Sequence, residues 1–147
     1  MTPFSSPTRT LGDLSATVAA KLIATAADVA LIVDAEGVIC DMAFGSDSLK
    51  DLGYERWVGQ PWIQTVTKES RPKIEALLRE ADSVSAPRWR QVNHPSEAGA
   101  DLPLAYCAVK VDDVSRADSP GHSVVFGRDL RAMASMQQSL VDAQQAS

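Results

Sequence analysis

Cysteine, histidine and aromatic residues are all scarce in this 147-residue chain, and their scarcity removes several kinds of chemistry at the outset. The two cysteines, Cys40 and Cys107, lie 67 positions apart, with no C-x-x-C and no neighbouring histidine. That spacing makes neither a disulfide framework nor a metal knuckle, so both are expected as reduced thiols in a cytoplasmic protein. The two histidines, His94 and His122, stand beside Pro95 and Gly121 in stretches that read as loops, and solvated rings are expected there. Such a set builds no tetrahedral zinc site and places no axial haem ligand inside a core. No metal and no cofactor are expected.

Long apolar runs are missing too. The most apolar window, Ala24 to Ala43, is broken by Asp28, Asp34, Glu36 and Asp41, short of the ~20 apolar residues a membrane span needs. The opening MTPFSSPTRT has no hydrophobic region of a signal peptide and reads as a flexible leader. Positive charge is also in deficit: 14 Lys and Arg face 19 Asp and Glu, a net charge of −5. DNA affinity comes largely from basic residues on phosphates, so this piece is not expected to hold nucleic acid alone. No Gly-x-Ser-x-Gly elbow, P-loop or dinucleotide fingerprint occurs, and the acidic residues are scattered, so no enzyme is expected.

What is present is one domain's worth of ordinary globular composition, 45% hydrophobic and 22% charged. Leu11, Leu14, Val18, Leu22 and Ile23 recur at helical spacing and predict a helix from Leu11 to Ala26, with Thr10 and Asp13 as its capping pair. Val29–Val33 and Val38–Phe44 flank a short Gly-containing turn and predict an antiparallel hairpin. Strict alternation there places Val38, Cys40, Met42 and Phe44 on one face, and Ile39 with Asp41 on the other. Between Gly45 and Gln60 short helices are expected, anchored by Leu49, Leu52, Tyr54 and Trp57. A stronger helix ends near Ala81, with Thr67 or Ser70 as cap and Pro72 tolerated in its first turn.

Three more strands are predicted, at Arg88–Asn93, Leu102–Val111 and Ser123–Phe126, joined by the loops His94–Asp101 and Asp112–Gly121. From Asp129 to Ala146 the pattern is helical again. Leu130, Met133, Gln137, Leu140 and Gln144 form a heptad seam of about two and a half repeats, with glutamine at two seam positions. The fold class predicted is α+β: a five-stranded antiparallel sheet with helices on one face, an N-terminal capping helix and a C-terminal coiled-coil linker helix. Residues 1–10 are read as leader, 11–128 as the domain and 129–147 as the start of the linker.

Leu22-Ile-Ala-Thr-Ala-Ala-Asp-Val-Ala-Leu-Ile-Val33 with Glu36-Gly37-Val38 resembles the N-terminal PAS-type domain of the PpsR/CrtJ repressors. Gly59-Gln-Pro-Trp62, Thr65-Val-Thr-Lys-Glu-Ser70, Gly127-Arg-Asp-Leu-Arg131 and the glutamine-bearing stretch from Met136 to Gln144 are similar as well, in the family's order. The resemblance implies a regulatory domain of a redox- or light-responsive repressor of photosystem genes in purple bacteria. It implies a homodimer or higher homo-oligomer, with an antirepressor or bacteriophytochrome as possible partner of the parent protein. It also implies a DNA-binding helix-turn-helix outside this stretch, which therefore looks like a fragment. The family's redox-active cysteines belong to later domains, and that role is not carried to Cys40 or Cys107. Neither cysteine lies in the Asn-Cys-Arg-Phe-Leu-Gln run of a flavin photosensor.

Two features serve an interaction role: the N-terminal stripe Leu11, Leu14, Val18 and Leu22, and the exit seam. Polar seam residues cost stability but fix register and partner number. The alternative is a ligand-binding PAS sensor, with a pocket between the sheet and the helix from Ser70 to Ala81 lined by Ile32, Met42, Ile63, Leu78 and Tyr106.

Overall fold

The computed structural model describes residues 2–82, 86–96, 99–111 and 121–146. The first predicted helix is two. A short helix α1 (Pro7–Leu11) stops at Gly12, whose φ of 65° suits a residue without a Cβ. Helix α2 (Ala16–Ala26) starts afresh at Ser15, whose side chain accepts the Val18 N–H at 3.2 Å. The expected Thr10–Asp13 capping pair gives way to this arrangement, and Thr10 Oγ1 donates to the Ser6 carbonyl within α1. Ser15→Ala should therefore cost about 1 kcal/mol of helix stability, measurable as faster amide exchange confined to α2.

Strands β1 (Val29–Val33) and β2 (Ile39–Phe44) form the predicted hairpin. Its turn is held by the Asp34 carboxylate, which accepts the N–H groups of Glu36 and Val38. The alternation expected along β2 holds only in its second half. Ile32 pairs with Asp41 but Val33 pairs with Ile39, so Cys40 is the extra residue of a β-bulge. Ile39 is thereby buried, Cys40 is exposed, and Met42 and Phe44 pack against the core.

Helix α3 (Asp47–Lys50) and 3-10 turns at Tyr54–Trp57, Trp62–Thr65 and Lys68–Ser70 lead into α4 (Arg71–Glu80), with Pro72 in its first turn. Leu49 is buried, Tyr54 and Trp57 half-buried, and Leu52 exposed, against expectation. Ser70 occupies the cap position of α4 without capping it. Its hydroxyl instead accepts the Asn93 N–H at 3.0 Å, on β3 (Arg90–His94). Thr67 N–H bonds the Asn93 carbonyl and Lys73 Nζ bonds that of Gln91, both at 2.9 Å. The start of α4 thus occupies the free edge of β3, which would otherwise offer pairing groups to another strand.

Strands β4 (Leu102–Val111) and β5 (His122–Asp129) complete a sheet of order β2-β1-β5-β4-β3, every neighbouring pair antiparallel. β5 runs three residues beyond the predicted Phe126 because Gly127, Arg128 and Asp129 still pair with β4. Most of the Asp112–Gly121 connector lies outside the described residues. Exit helix α5 (Arg131–Ala146) follows. On one side of the sheet Trp62, Ile74 and Leu77 pack on Leu31, Val92, Leu104, Tyr106 and Val125, all at most 1% exposed. Each such side chain contributes about 1.5–3 kcal/mol by leaving water. Ala20 and Ile23 of α2 lie over Ala30 and Ile32 on the opposite side of the sheet, around a narrow 90 Å³ cleft. Among the described residues no helix is long and apolar enough to cross a membrane.

Candidate functional site

Helix α2 meets its own sheet through Ala20 and Ile23, and the stripe predicted along one helix is divided: Val18 and Leu22 lie on α2, Leu11 ends α1, and Leu14 falls between the two because the chain breaks at Gly12. Leu11, Leu14, Val18 and Leu22 remain 45–53% exposed. An amphipathic helix normally buries such a stripe. At the other end of the chain Met133 and Leu140 are 58% and 64% exposed, with Met136 and Val141 also in water. Gln137 and Gln144 are exposed beside them. Leu130, read as the first seam residue, precedes the helix and is half-buried, its N–H bonded to the Pro103 carbonyl at 3.1 Å.

Both helices are rooted at one junction, which the sequence reading missed. Asp28 follows α2 by two residues, and its carboxylate accepts the Asp129 N–H at 2.7 Å across 101 residues of chain. Its own N–H bonds the Gly127 carbonyl, and its carbonyl accepts the Gly45 N–H. A side chain at Gly45 would collide with the carbonyl oxygens of Ala24 and Ala27, so the end of β2 is pressed against the foot of α2. Asp129 Oδ1 accepts the Arg131 N–H at 3.0 Å, and the Arg131 guanidinium folds back onto the same carboxylate. Burial raises the Asp129 carboxyl, but the bonds from Arg131 outweigh it and hold the group below the usual carboxylate range.

The interior holds a second surprise. His94 is not a solvated loop residue: it ends β3 and is fully buried. Its Nδ1 lies 2.7 Å from the Thr65 carbonyl, which can only accept, so the proton sits on Nδ1. Nε2, 2.7 Å from the Tyr106 hydroxyl, therefore accepts the phenolic proton. Trp57 stacks on the imidazole at 4.1 Å, and Trp62 meets Tyr106 edge-on at 5.4 Å. Burial pushes the His94 pKa down to about 4, against a smaller opposite effect of the Thr65 carbonyl. Both ring nitrogens are thus committed to protein partners. The other histidine, His122, opens β5 and is exposed. A usable signal for His94 was present: it stands two residues from buried Val92 and so shares its face.

These same rings fill the space where a ligand pocket was expected. Tyr106 is fully buried, and Met42, Ile63 and Leu78 pack against the core, whereas Ile32 lies on the other face of the sheet. The larger concavities are on the surface: one of about 470 Å³ along Tyr54, Trp57 and Gln64, and one of about 430 Å³ reaching Arg131. Among the described residues no three His, Cys, Asp or Glu side chains converge as a metal site. Burial raises the thiol pKa of both cysteines, with Asp34 adding to the effect at Cys40 and Arg128 opposing it at Cys107. Both are therefore thiols rather than thiolates at neutral pH.

No family model matches the chain. It is 28% identical over 131 residues to protein CrtJ of Rhodobacter capsulatus, a match covering 86% of this chain and 26% of CrtJ. The chain thus spans about a quarter of the length of that relative. Among solved structures it resembles a PAS domain from Colwellia psychrerythraea (TM-score 0.59, 18% identity, 77% of this chain and 94% of the other). It also resembles the PAS domain of BvgS from Bordetella pertussis (TM-score 0.54, 14% identity, 89% and 97%). A third similar structure is the PAS domain of an HTR-like protein from Haloarcula marismortui (TM-score 0.55, 15% identity, 77% and 89%). Sheet order and helix placement agree with those structures: the chain has a PAS fold, and its sequence is similar to the part of CrtJ that it matches.

Proposed function

We propose that this chain is the N-terminal dimerisation domain of a cytoplasmic transcriptional repressor of photosystem genes, responsive to redox state or light. Residues 11–128 serve as the PAS unit and 129–147 as the start of a linker helix. The chain acts by binding and not by catalysis. DNA is contacted by a helix-turn-helix outside this stretch, and an antirepressor or bacteriophytochrome acts on the parent protein.

The observation that carries the reading is uncovered apolar surface at both chain ends. Leu11, Leu14, Val18 and Leu22 at one end and Met133, Met136, Leu140 and Val141 at the other are 44–68% exposed, and apolar side chains gathered in this way mark a contact surface. A second copy of the chain offers the same stripes, and a two-fold arrangement satisfies both at once. In the parent protein that symmetry would set two DNA-reading units on half-sites about one helical turn or a multiple apart.

Sedimentation equilibrium tests the reading. Val18→Glu/Leu22→Glu and Met133→Glu/Leu140→Glu should each weaken self-association at least about tenfold, or 1.4 kcal/mol. Unchanged association in both variants would remove the terminal helices as the interface.

A further inference from the structure

We infer that Asp28 is a positioning residue that couples the entrance helix α2 to the exit helix α5, so that a partner gripping the α2 stripe also sets the direction in which α5 leaves the domain. This rests on the reading of the two helices as contact elements, and it adds the route between them.

The geometry leaves little slack. The β1–β5 ladder ends at the pair Val29 and Gly127. Ala27 N–H already closes the last turn of α2 on Ile23. The chain has therefore turned away from the sheet, and no backbone group opposite Asp129 on the β1 side continues the ladder. The Asp28 carboxylate supplies the acceptor instead, extending the pairing by one bond at 2.7 Å. Asp28 itself cannot drift, because its N–H and carbonyl are held by Gly127 and Gly45.

On the far side, Asp129 is two residues from the first turn of α5 and accepts that turn's Arg131 N–H. Leu130 N–H is tied to Pro103 on β4. From the foot of α2 to the root of α5 the route is thus one carboxylate and one peptide unit. A hydrogen bond to a charged acceptor is among the stronger ones in a protein, so its loss is readable at a single amide.

Residue-resolved amide exchange on this chain tests the inference. In Asp28→Ala the Asp129 amide should exchange about tenfold faster or more, and the Arg131–Met136 amides should follow. Strand-centre amides such as Leu104 and Val125 should stay as in the native chain. Asp28→Asn, which keeps a carbonyl acceptor, should show a smaller rise of about threefold, and it decides alone if Asp28→Ala does not fold. Native exchange at Asp129 and in α5 in a folded variant would overturn the proposal.

Coupling is read from a cycle. Val18→Glu/Leu22→Glu should quicken α5 exchange in the native background and add nothing in Asp28→Ala. Simple additivity would overturn the coupling. A stripe variant that sediments like the native chain overturns the self-association reading instead, and Asp129 exchange then judges the latch by itself.

Discussion

Lowering the pH from 7 to 5 should remove about 2 kcal/mol of folding stability, and His94 is the reason. Its pKa is about 4 in the fold against an ordinary 6.5, so the unfolded chain takes up the proton first. The stabilising contribution of the neutral ring is fully present above pH 6.5. It is lost progressively as the pH falls from 6.5 to 4, reaching about 3 kcal/mol in total.

Protonation here breaks a specific geometry as well as placing charge in a core. Nε2 accepts the Tyr106 hydroxyl, and an imidazolium can only donate. Urea unfolding at pH 7 and pH 5 measures the loss directly. In His94→Leu/Tyr106→Phe, which replaces both partners by apolar groups, the difference between the two pH values should vanish even though absolute stability changes. A native-like pH slope in that variant would exclude His94 as its source. Asp34 and Asp129 do not confuse the window. Backbone N–H bonds led by Val38 at Asp34, and Arg131 acting against burial at Asp129, hold these carboxyls below the usual range. Their contributions are lost only below about pH 4.

The second large effect is expected from one added methyl group. Gly127 pairs with Val29 on one side and Tyr106 on the other. A Cβ there would lie 2.6 Å from Val29 Cγ1 and 2.9 Å from Tyr106 Cε1. Neither neighbour can step aside: Val29 is 1% exposed, and Tyr106 is held through its hydroxyl by His94. Gly127→Ala should therefore destabilise the fold by about 3 kcal/mol, lowering Tm by roughly 10 °C in a domain of this size. Val29→Ala, costly alone, should recover part of that loss in the double variant, because it vacates the nearest contact. A Gly127→Ala chain within about 0.5 kcal/mol of native would mean that the β1–β5–β4 junction is looser than drawn.

Much of the architecture was legible locally. Leu102–Val111 was read with the bounds it has, because an apolar run of strand length lies between two loops rich in Pro, Ser, Gly and Asp. Helix α4 was read within a residue or so from the spacing of Ile74, Leu77 and Leu78 and the tolerance for Pro72. The resemblance to the PpsR/CrtJ repressors was visible too, whereas the stripe read as one helix face is divided at Gly12 and the first seam residue, Leu130, precedes α5.

The misreadings share a cause. The bulge at Cys40 depends on how two strands meet across a turn, and alternation along one of them does not encode it. Ser70 has the composition of a cap, but a β3 amide 23 residues away takes its hydroxyl. His94 beside Pro95 looks like any loop histidine until Thr65 and Tyr106, 29 and 12 residues distant, close on its two nitrogens.

For this protein, then, the sequence by itself determined the order of the strands and main helices and the PAS class, because burial has a period that neighbouring residues express. The tertiary structure decided which polar groups go inside, which strand edge is covered and how α5 is anchored. Each of those rests on a hydrogen bond between residues far apart in the chain, and the Asp28–Asp129 bond spans the longest separation of them.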